Sequence, residues 1–134
     1  MSDLAALTAT QAAEAMRSGQ FSSEQLTKSC LDRIAEREPD VQAFAYLDPE
    51  HALEQARGAD VVRREGKGVG PLNGIPVAVK DIIDTADMPT ENGFPAAFKG
   101  RQPEKDAFLV AQLRSAGAVI LGKSVSSPLA NPGP

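Results

Sequence analysis

Residues 75–81, with the sequence IPVAVKD, decide the fold prediction for this chain. Residues 75–79 form a compact apolar run of the length that is typical of a buried strand. Proline at position 76 fits this prediction, because the first residue of a strand does not have to donate a hydrogen bond to the ladder. Lys80 and Asp81 follow the run directly, so we expect a strand that leads into a lysine and an aspartate.

A helix and a second apolar run come later in the chain. Residues 106–116 carry apolar side chains at helical spacing and Gly117 ends this segment, whereas residues 118–121, AVIL, form a second short apolar run. Strand, long loop, helix and strand in this order make a βαβ unit, in which the strands are parallel and the crossover is right-handed. Since α/β proteins keep their sites at the carboxyl ends of such strands, the pattern places Lys80 at the expected site edge.

Two capping boxes predict where the first two helices begin. Thr8 with Gln11, and Ser22 with Gln25, each pair a hydroxyl side chain with a glutamine three residues later. Gly19 is expected to end the first helix. The second helix therefore begins directly after Ser22.

The second helix has one apolar stripe, which includes the single cysteine, Cys30. Pro39 is predicted to end this helix, because the residue before a proline is biased away from helical geometry. Cys30 is interpreted as a core residue, since a reactive thiol needs a nearby base and the only histidine is distant in sequence. Residues 44–47, FAYL, are interpreted as a short strand or an extended link.

A third helix is predicted from a cap at Asp48 and Pro49 to about Glu65. His51 lies in its first turn and is interpreted as a solvated side chain, because no second ligand or acidic partner is in view. The helix also has a face of small residues, which is typical of close packing against another helix: Ala52, Ala56 and Ala59. Residues 1–66 are therefore predicted to be a helical region.

Composition narrows the class of protein. The formal charge of −4 on 134 residues is small and evenly spread, whereas nucleic-acid binding needs clustered Lys and Arg on one face. One cysteine forms no internal disulfide and fits a reducing compartment. No run approaches the roughly 18 apolar residues of a membrane span, and the first residues lack the basic start of a signal peptide. We expect a cytoplasmic protein with neither a nucleic-acid nor a membrane partner.

Residues 117–124, GAVILGKS, match the phosphate-loop pattern G-x-x-x-x-G-K-[ST], so a nucleotide-binding function has to be weighed. A phosphate loop needs backbone amides that curl around the anion and a helix that begins at the Lys-Ser pair. Here the middle of the match is apolar and β-forming, and Pro128 follows four residues after Ser124. The nucleotide binder therefore stays only as a competing interpretation.

Asp81, Asp84 and Asp87 are candidate carboxylate ligands for a divalent metal. Acidic residues spaced three apart in a polar loop more often form Asx turns and solvated caps. Neither an accompanying histidine nor a glycine-centred calcium loop is present in this stretch. We therefore expect no metal and no cofactor.

Lys80 is the candidate catalytic residue. It follows an unbroken apolar strand whose end is expected to be partly buried. Burial disfavours an ammonium group and lowers its pKa, which is how a lysine becomes a usable general base.

Residues 71–81, PLNGIPVAVKD, followed by Asp84 and residues 88–90, MPT, resemble the first conserved block of the amidase signature family. Residues 106–123 resemble the helix and strand that come next in those enzymes. The front half also resembles their amino-terminal helices, so the likeness covers nearly the whole chain.

This resemblance implies a hydrolase that cuts amide bonds through a serine nucleophile, a second serine with a cis peptide bond, and a lysine that matches Lys80. In that scheme the neutral amine takes a proton by way of the bridging serine and then helps to return it to the leaving amine. Family members are several times longer, and their serine segment follows the point where this sequence stops. No serine role is therefore assigned to Ser124, Ser126 or Ser127.

We therefore expect residues 1–134 to be the amino-terminal portion of a single α/β amidase domain, with the start of the α/β core at 71–124. The chain alone is predicted to be inactive, because the serine segment is absent. Its expected partners are a small-molecule amide in the intact enzyme, and either a second copy or the missing carboxyl-terminal segment. The alternative is a non-catalytic truncated homologue that acts as an interaction or dimerisation module.

Overall fold

A computed structural model describes residues 3–131, which form a mixed α/β structure with a small mixed sheet. The helices and strands, in chain order, are α1 (Ala9–Arg17), α2 (Ser23–Val41), β1 (Phe44–Leu47), α3 (Pro49–Glu65), β2 (Pro76–Lys80), α4 (Pro95–Phe98), α5 (Phe108–Ser115) and β3 (Val119–Ser124). Short 3-10 helices lie at Leu4–Ala6 and Pro128–Ala130.

The sheet has the strand order β1-β3-β2, so the last strand in sequence lies at its centre. β2 and β3 are parallel, with Lys80 opposite Ser124, which confirms the parallel strands of the predicted βαβ unit. Residues 44–47 form a strand, β1, which pairs antiparallel with the other edge of β3. β3 also extends beyond the predicted end at residue 121, and reaches Ser124.

The local signals for helix starts are confirmed. Thr8 and Ser22 each accept from the backbone amide of the glutamine three residues later, and each glutamine side chain accepts from the cap residue's own amide. Asp48 caps α3 by accepting from the His51 amide at 3.1 Å. Side chains that satisfy the first-turn amides therefore fix these three starts.

The prediction that Pro39 ends the second helix is wrong, because α2 runs on to Val41 with Pro39 inside it. A proline removes one amide donor, and a helix that is about to end loses little by this. The helix ends instead at Gln42, whose left-handed φ of 51° turns the chain while its amide donates to the carbonyl of Glu38 at 3.0 Å.

The core lies on both faces of the sheet. β3 alternates sides, so that Ile120 packs with Val79 and Val110 beneath α5, whereas Leu121 packs with Leu31 and Ala52 of α2 and α3. The small residues predicted to form a packing face on α3 are all buried: Ala52, Ala56 and Ala59. The sheet thus holds the helices in place from its central strand outward.

Asp60 of α3 makes a long-range cap on α2 that the sequence did not suggest. Its two carboxylate oxygens accept from the backbone amides of Ser23 at 2.7 Å and Glu24 at 3.0 Å. Arg63 pairs with the same carboxylate at 2.8 Å. One charged side chain therefore satisfies first-turn donors of α2 and fixes α2 against α3.

Asp60→Ala is expected to lower the free energy of unfolding by about 1–2 kcal/mol, the usual cost of losing a cap side chain. Urea unfolding followed by circular dichroism measures this change. Glu54→Ala is the matched control, because Glu54 is an exposed acid on the same helix. Equal effects of the two substitutions would contradict the capping role of Asp60.

Candidate active site

Lys80 is the last residue of β2, at the carboxyl edge of the sheet where the sequence placed it. Its carbonyl accepts from the amide of Ile83 at 2.9 Å, and its side chain is exposed. The expected partial burial of Lys80 is therefore wrong for the described residues. Because β2 is an edge strand and side chains alternate, Val79 points into the core and Lys80 points away from it.

The buried lysine of this edge is Lys123 of β3, which has 0% of its surface exposed. Its Nζ donates to the hydroxyl of Thr90 at 2.6 Å and to the carbonyl of Pro89 at 3.1 Å. The nearer carboxylate oxygen of Asp81 lies 3.8 Å away. Two hydrogen bonds and a nearby carboxylate suit the charged form of this amine, since an ammonium group carries three donors and a positive charge.

Burial lowers the pKa of Lys123 below its ordinary value, because desolvation penalises the ammonium form. The carboxylates of Asp81 and Asp84 act in the opposite direction and offset part of this effect. The physical situation that the sequence predicted for Lys80, a desolvated amine at a strand end, is therefore found at Lys123.

Asp81 is almost fully buried and binds the loop that follows it. Its carboxylate accepts from the amides of Glu91 at 3.1 Å and Gly93 at 3.2 Å, and its carbonyl accepts from Asn92 at 2.8 Å. Its own amide donates to the carbonyl of Ser124 at 2.9 Å. Asp81 thus links the ends of β2 and β3 to residues 91–93.

Asp84 and Asp87 point to other partners. Arg101 donates to both oxygens of Asp84, at 2.7 and 3.0 Å, and these bonds hold the pKa of that carboxyl below its usual value. The three carboxylates of the loop therefore do not converge. Among residues 3–131, no group of three His, Cys, Asp or Glu side chains is arranged to hold a metal ion.

The interpretation of His51 as a solvated side chain without an acidic partner is wrong. Its Nε2 lies 2.7 Å from a carboxylate oxygen of Asp87, whose other oxygen accepts from Arg114 at 2.6 Å. Burial alone would raise the pKa of Asp87, but the hydrogen bonds from these two partners outweigh it and the pKa is lowered. This cluster joins α3 and α5 to the loop.

Two other candidates have a clear structural role. Cys30 is half-buried in the core, and burial raises the pKa of its thiol, which suits a packing residue rather than a nucleophile. Residues 119–124 of the phosphate-loop match form the central strand, and the Lys123 amine is bound to Thr90 and Pro89. The geometry is therefore that of a strand rather than of a phosphate cradle.

The fold and this edge define an α/β protein whose candidate site lies at the carboxyl ends of two parallel strands. The family model described as amidase matches residues 25–131, and the chain belongs to the amidase signature family. The sequence-based assignment to that family is confirmed.

Curated relatives and solved structures agree with this assignment. The chain is 42% identical to a glutamyl-tRNA(Gln) amidotransferase subunit of Chloroflexus aurantiacus, over 92% of this chain and 25% of that protein. It is also 42% identical to the putative amidase AmiD of Mycobacterium bovis, over 87% of this chain and 24% of that protein. The peptide amidase of Stenotrophomonas maltophilia superposes with a TM-score of 0.81 and 41% identity, over 97% of this chain and 26% of its own.

The named relatives are amidases and one component of an amidotransferase, so the family is enzymatic. The chain spans about a quarter of the length of the curated relatives it matches. None of the helices between residues 3 and 131 has the length and apolar character needed to cross a membrane.

The lowered pKa of Lys123 predicts how stability depends on pH. Between the lowered folded-state pKa and the ordinary 10.5, the unfolded chain binds more protons than the folded chain at this residue. Stability from this group therefore rises as pH rises through that window. We expect the unfolding free energy of the natural chain to increase relative to that of Lys123→Met between neutral pH and 10.5.

Urea titrations of both proteins at a series of pH values measure this difference. The comparison cancels the contributions of the groups that the two proteins share. A difference that falls with rising pH would show that the folded state raises the pKa of Lys123 instead.

Proposed function

We propose that this chain supplies the catalytic lysine, Lys80, of an amidase signature hydrolase that cleaves carbon–nitrogen bonds in amides. The observation that carries the proposal is the position of Lys80 within the family's motif, residues 71–81, at the carboxyl end of a parallel strand. In the intact enzyme a Ser-cisSer-Lys mechanism operates, and both serines belong to a carboxyl-terminal segment.

The surroundings of Lys80 support this role. Among the described residues its ammonium group has no hydrogen-bond or ion-pair partner, and its side chain is exposed. A catalytic amine that serves a bridging serine has to be free to meet that serine. Lys123 does not fit the role, because it is fully buried and its amine already makes two hydrogen bonds inside the protein.

The chemistry assigned to Lys80 is proton transfer. Its neutral amine takes a proton by way of the bridging serine as the nucleophilic serine attacks the amide carbonyl. The resulting ammonium then helps to return a proton to the leaving amine. Without the serines there is no nucleophile to activate, so we expect the chain alone to be inactive.

The chain also offers apolar surface for the segment that completes the enzyme. Phe108 is 81% exposed and Leu109 is 52% exposed on α5, and Leu129 is 60% exposed after β3. β1 and β2 are edge strands within the described sheet. Such edges and apolar side chains favour association with another part of the protein or with a second copy. A cytoplasmic location is part of the same proposal.

A chimera tests the role of Lys80. Residues 1–131 of this chain replace the aligned portion of the Stenotrophomonas maltophilia peptide amidase, which the structure superposes well. We expect the chimera to hydrolyse a peptide amide, and Lys80→Ala to lower kcat by about a thousandfold or more, as removal of one member of a catalytic unit does. The isolated chain is expected to show no turnover.

Lys67→Ala is the control, because Lys67 is an exposed lysine between α3 and β2 and its substitution should leave kcat unchanged. Circular dichroism of each chimera establishes that it is folded. Full activity of the folded Lys80→Ala chimera would remove the role assigned to Lys80, and turnover by the isolated chain would refute its predicted inactivity.

The second candidate function, a self-associating module, is favoured by the exposed pair on α5. Sedimentation of the chain at high micromolar concentration is expected to show dimers, and Phe108→Ser is expected to weaken them about tenfold or more, since a large aromatic anchor is lost. Val61→Ser, at a less exposed position of α3, is the control. A monomer at all concentrations would exclude this candidate.

A further inference from the structure

We propose that Asp81, Thr90 and Lys123 form a positioning unit that fixes Lys80 relative to residues 126–129, the segment that leaves β3. The inference rests on the proposed function of Lys80. It assigns a role to three buried side chains that do not themselves touch a substrate. We refer to these three residues as the buried triad.

The first step is the covalent neighbour of Lys80. Asp81 turns its carboxylate inward, where it accepts the amides of Glu91 and Gly93, while its carbonyl accepts the amide of Asn92. Three consecutive amides therefore bind the residue next to Lys80. The backbone at the end of β2 is fixed on both sides, since the Asp81 amide also donates to Ser124.

The second step connects this loop to the segment after β3. The carbonyl of Asn92 accepts from the Leu129 amide at 2.8 Å. Gly93 has a φ of 62°, and a Cβ atom at this position would collide with the carbonyl oxygens of Ser126 and Ser127. Residues 91–93 thus bind Asp81 on one side and residues 126–129 on the other. Glycine at position 93 is required, because a side chain there would not fit between the two segments.

The third step is the role of Lys123. Asp81 is 2% exposed and Lys123 is 0% exposed, so the carboxylate is desolvated and depends on the nearby ammonium group for compensation. The same ammonium group binds Pro89 and Thr90, which directly precede residues 91–93. Loss of Lys123 would leave a buried charge on Asp81 and release the start of the loop.

The geometry makes Lys123 a positioning residue rather than a second base. It pairs with Val79 in the register of β2 and β3, whereas Lys80 pairs with Ser124. Since side chains alternate along a strand, the two lysines lie on opposite faces of the sheet. Lys123 therefore acts on Lys80 only through the backbone and loop that the buried triad holds.

Two substitutions of Thr90 separate the hydrogen bonds of its hydroxyl, to Lys123 and to the carbonyl of Ile83, from its packing. Thr90→Val keeps the shape and removes the hydroxyl acceptor of Lys123, whereas Thr90→Ser keeps the hydroxyl and removes a methyl group. Thr90 is fully buried, so a purely packing role predicts that the serine variant is the worse of the two. The positioning role predicts the reverse order.

The experiment is amide hydrogen exchange by NMR on the isotope-labelled chain, with the variants Thr90→Val, Thr90→Ser and Lys123→Met. In Thr90→Val and Lys123→Met we expect the amides of residues 91–93 and Leu129 to exchange about tenfold to a hundredfold faster, because their local opening becomes easier. Thr90→Ser should stay within about twofold of the natural chain. Amides of α2 and α3 should be unchanged in all three.

The second readout is the NMR cross-peak of the Lys80 Cε atom, the carbon that bears the amine, with its attached protons. It should move in Thr90→Val and Lys123→Met, stay in place in Thr90→Ser, and be unaffected by Lys67→Met, the exposed-lysine control. The proposal is overturned if Thr90→Ser loosens residues 91–93 as much as Thr90→Val does. It is also overturned if the Lys80 cross-peak does not move in Lys123→Met, or if amide exchange accelerates equally throughout the chain.

The peptide-amidase chimera distinguishes this inference from the proposed function. If the unsubstituted chimera is folded but inactive, the catalytic role of Lys80 is in doubt while the exchange results still decide the buried triad. If it is active, Thr90→Val should lower kcat about tenfold and Thr90→Ser should not, because only the former misplaces Lys80.

Discussion

The ammonium group of Lys123 lies out of contact with water, and a charge in that position has to be surrounded by acceptors or it destabilises the fold. Its acceptors come from residues 81–90, which means that the loop after β2 has to close over the end of β3. Asp81 extends the same requirement to residues 91–93 through its carboxylate and its carbonyl. One buried charge therefore organises the loop that surrounds the candidate site.

The central position of β3 makes this arrangement possible. A strand at the middle of a sheet is covered on both faces, so any polar side chain along it has to find a partner inside the protein. Ile120 and Leu121 pack into the core on opposite faces of the sheet, and Lys123 lies further along the same strand, near the site edge. At Gly122 the antiparallel partner approaches so closely that a Cβ atom would meet the carbonyl of Tyr46 and the side chain of Leu47.

Sequence reasoning was most successful where structure depends on neighbours along the chain. The capping boxes and the cap at Asp48 were predicted because each is encoded within a few residues, and the parallel strands were predicted from the order of the elements along the chain. Apart from the helix end predicted at Pro39, the errors and omissions concern contacts between distant residues. His51 meets Asp87 only when α3 lies beside the loop, and Asp60 caps a helix that begins far earlier in the chain.

The two lysines show the same limit at the candidate site. A motif placed Lys80 at the correct strand end, but burial of its side chain depends on strand order, which local patterns do not specify. Lys123 was weighed only within a phosphate-loop pattern, although a lysine within the apolar run VILGKS could have signalled a buried cation.

A division of roles between these lysines follows from their solvation. A lysine acts as a base only with a neutral amine, and desolvation is the ordinary way to favour that form. In residues 3–131 the desolvated lysine is Lys123, which already makes two hydrogen bonds inside the protein, while Lys80 is exposed. Under the proposed function, the segment that contains the serines also has to cover Lys80. The same segment then supplies the nucleophile and removes water from the amine that acts as its base.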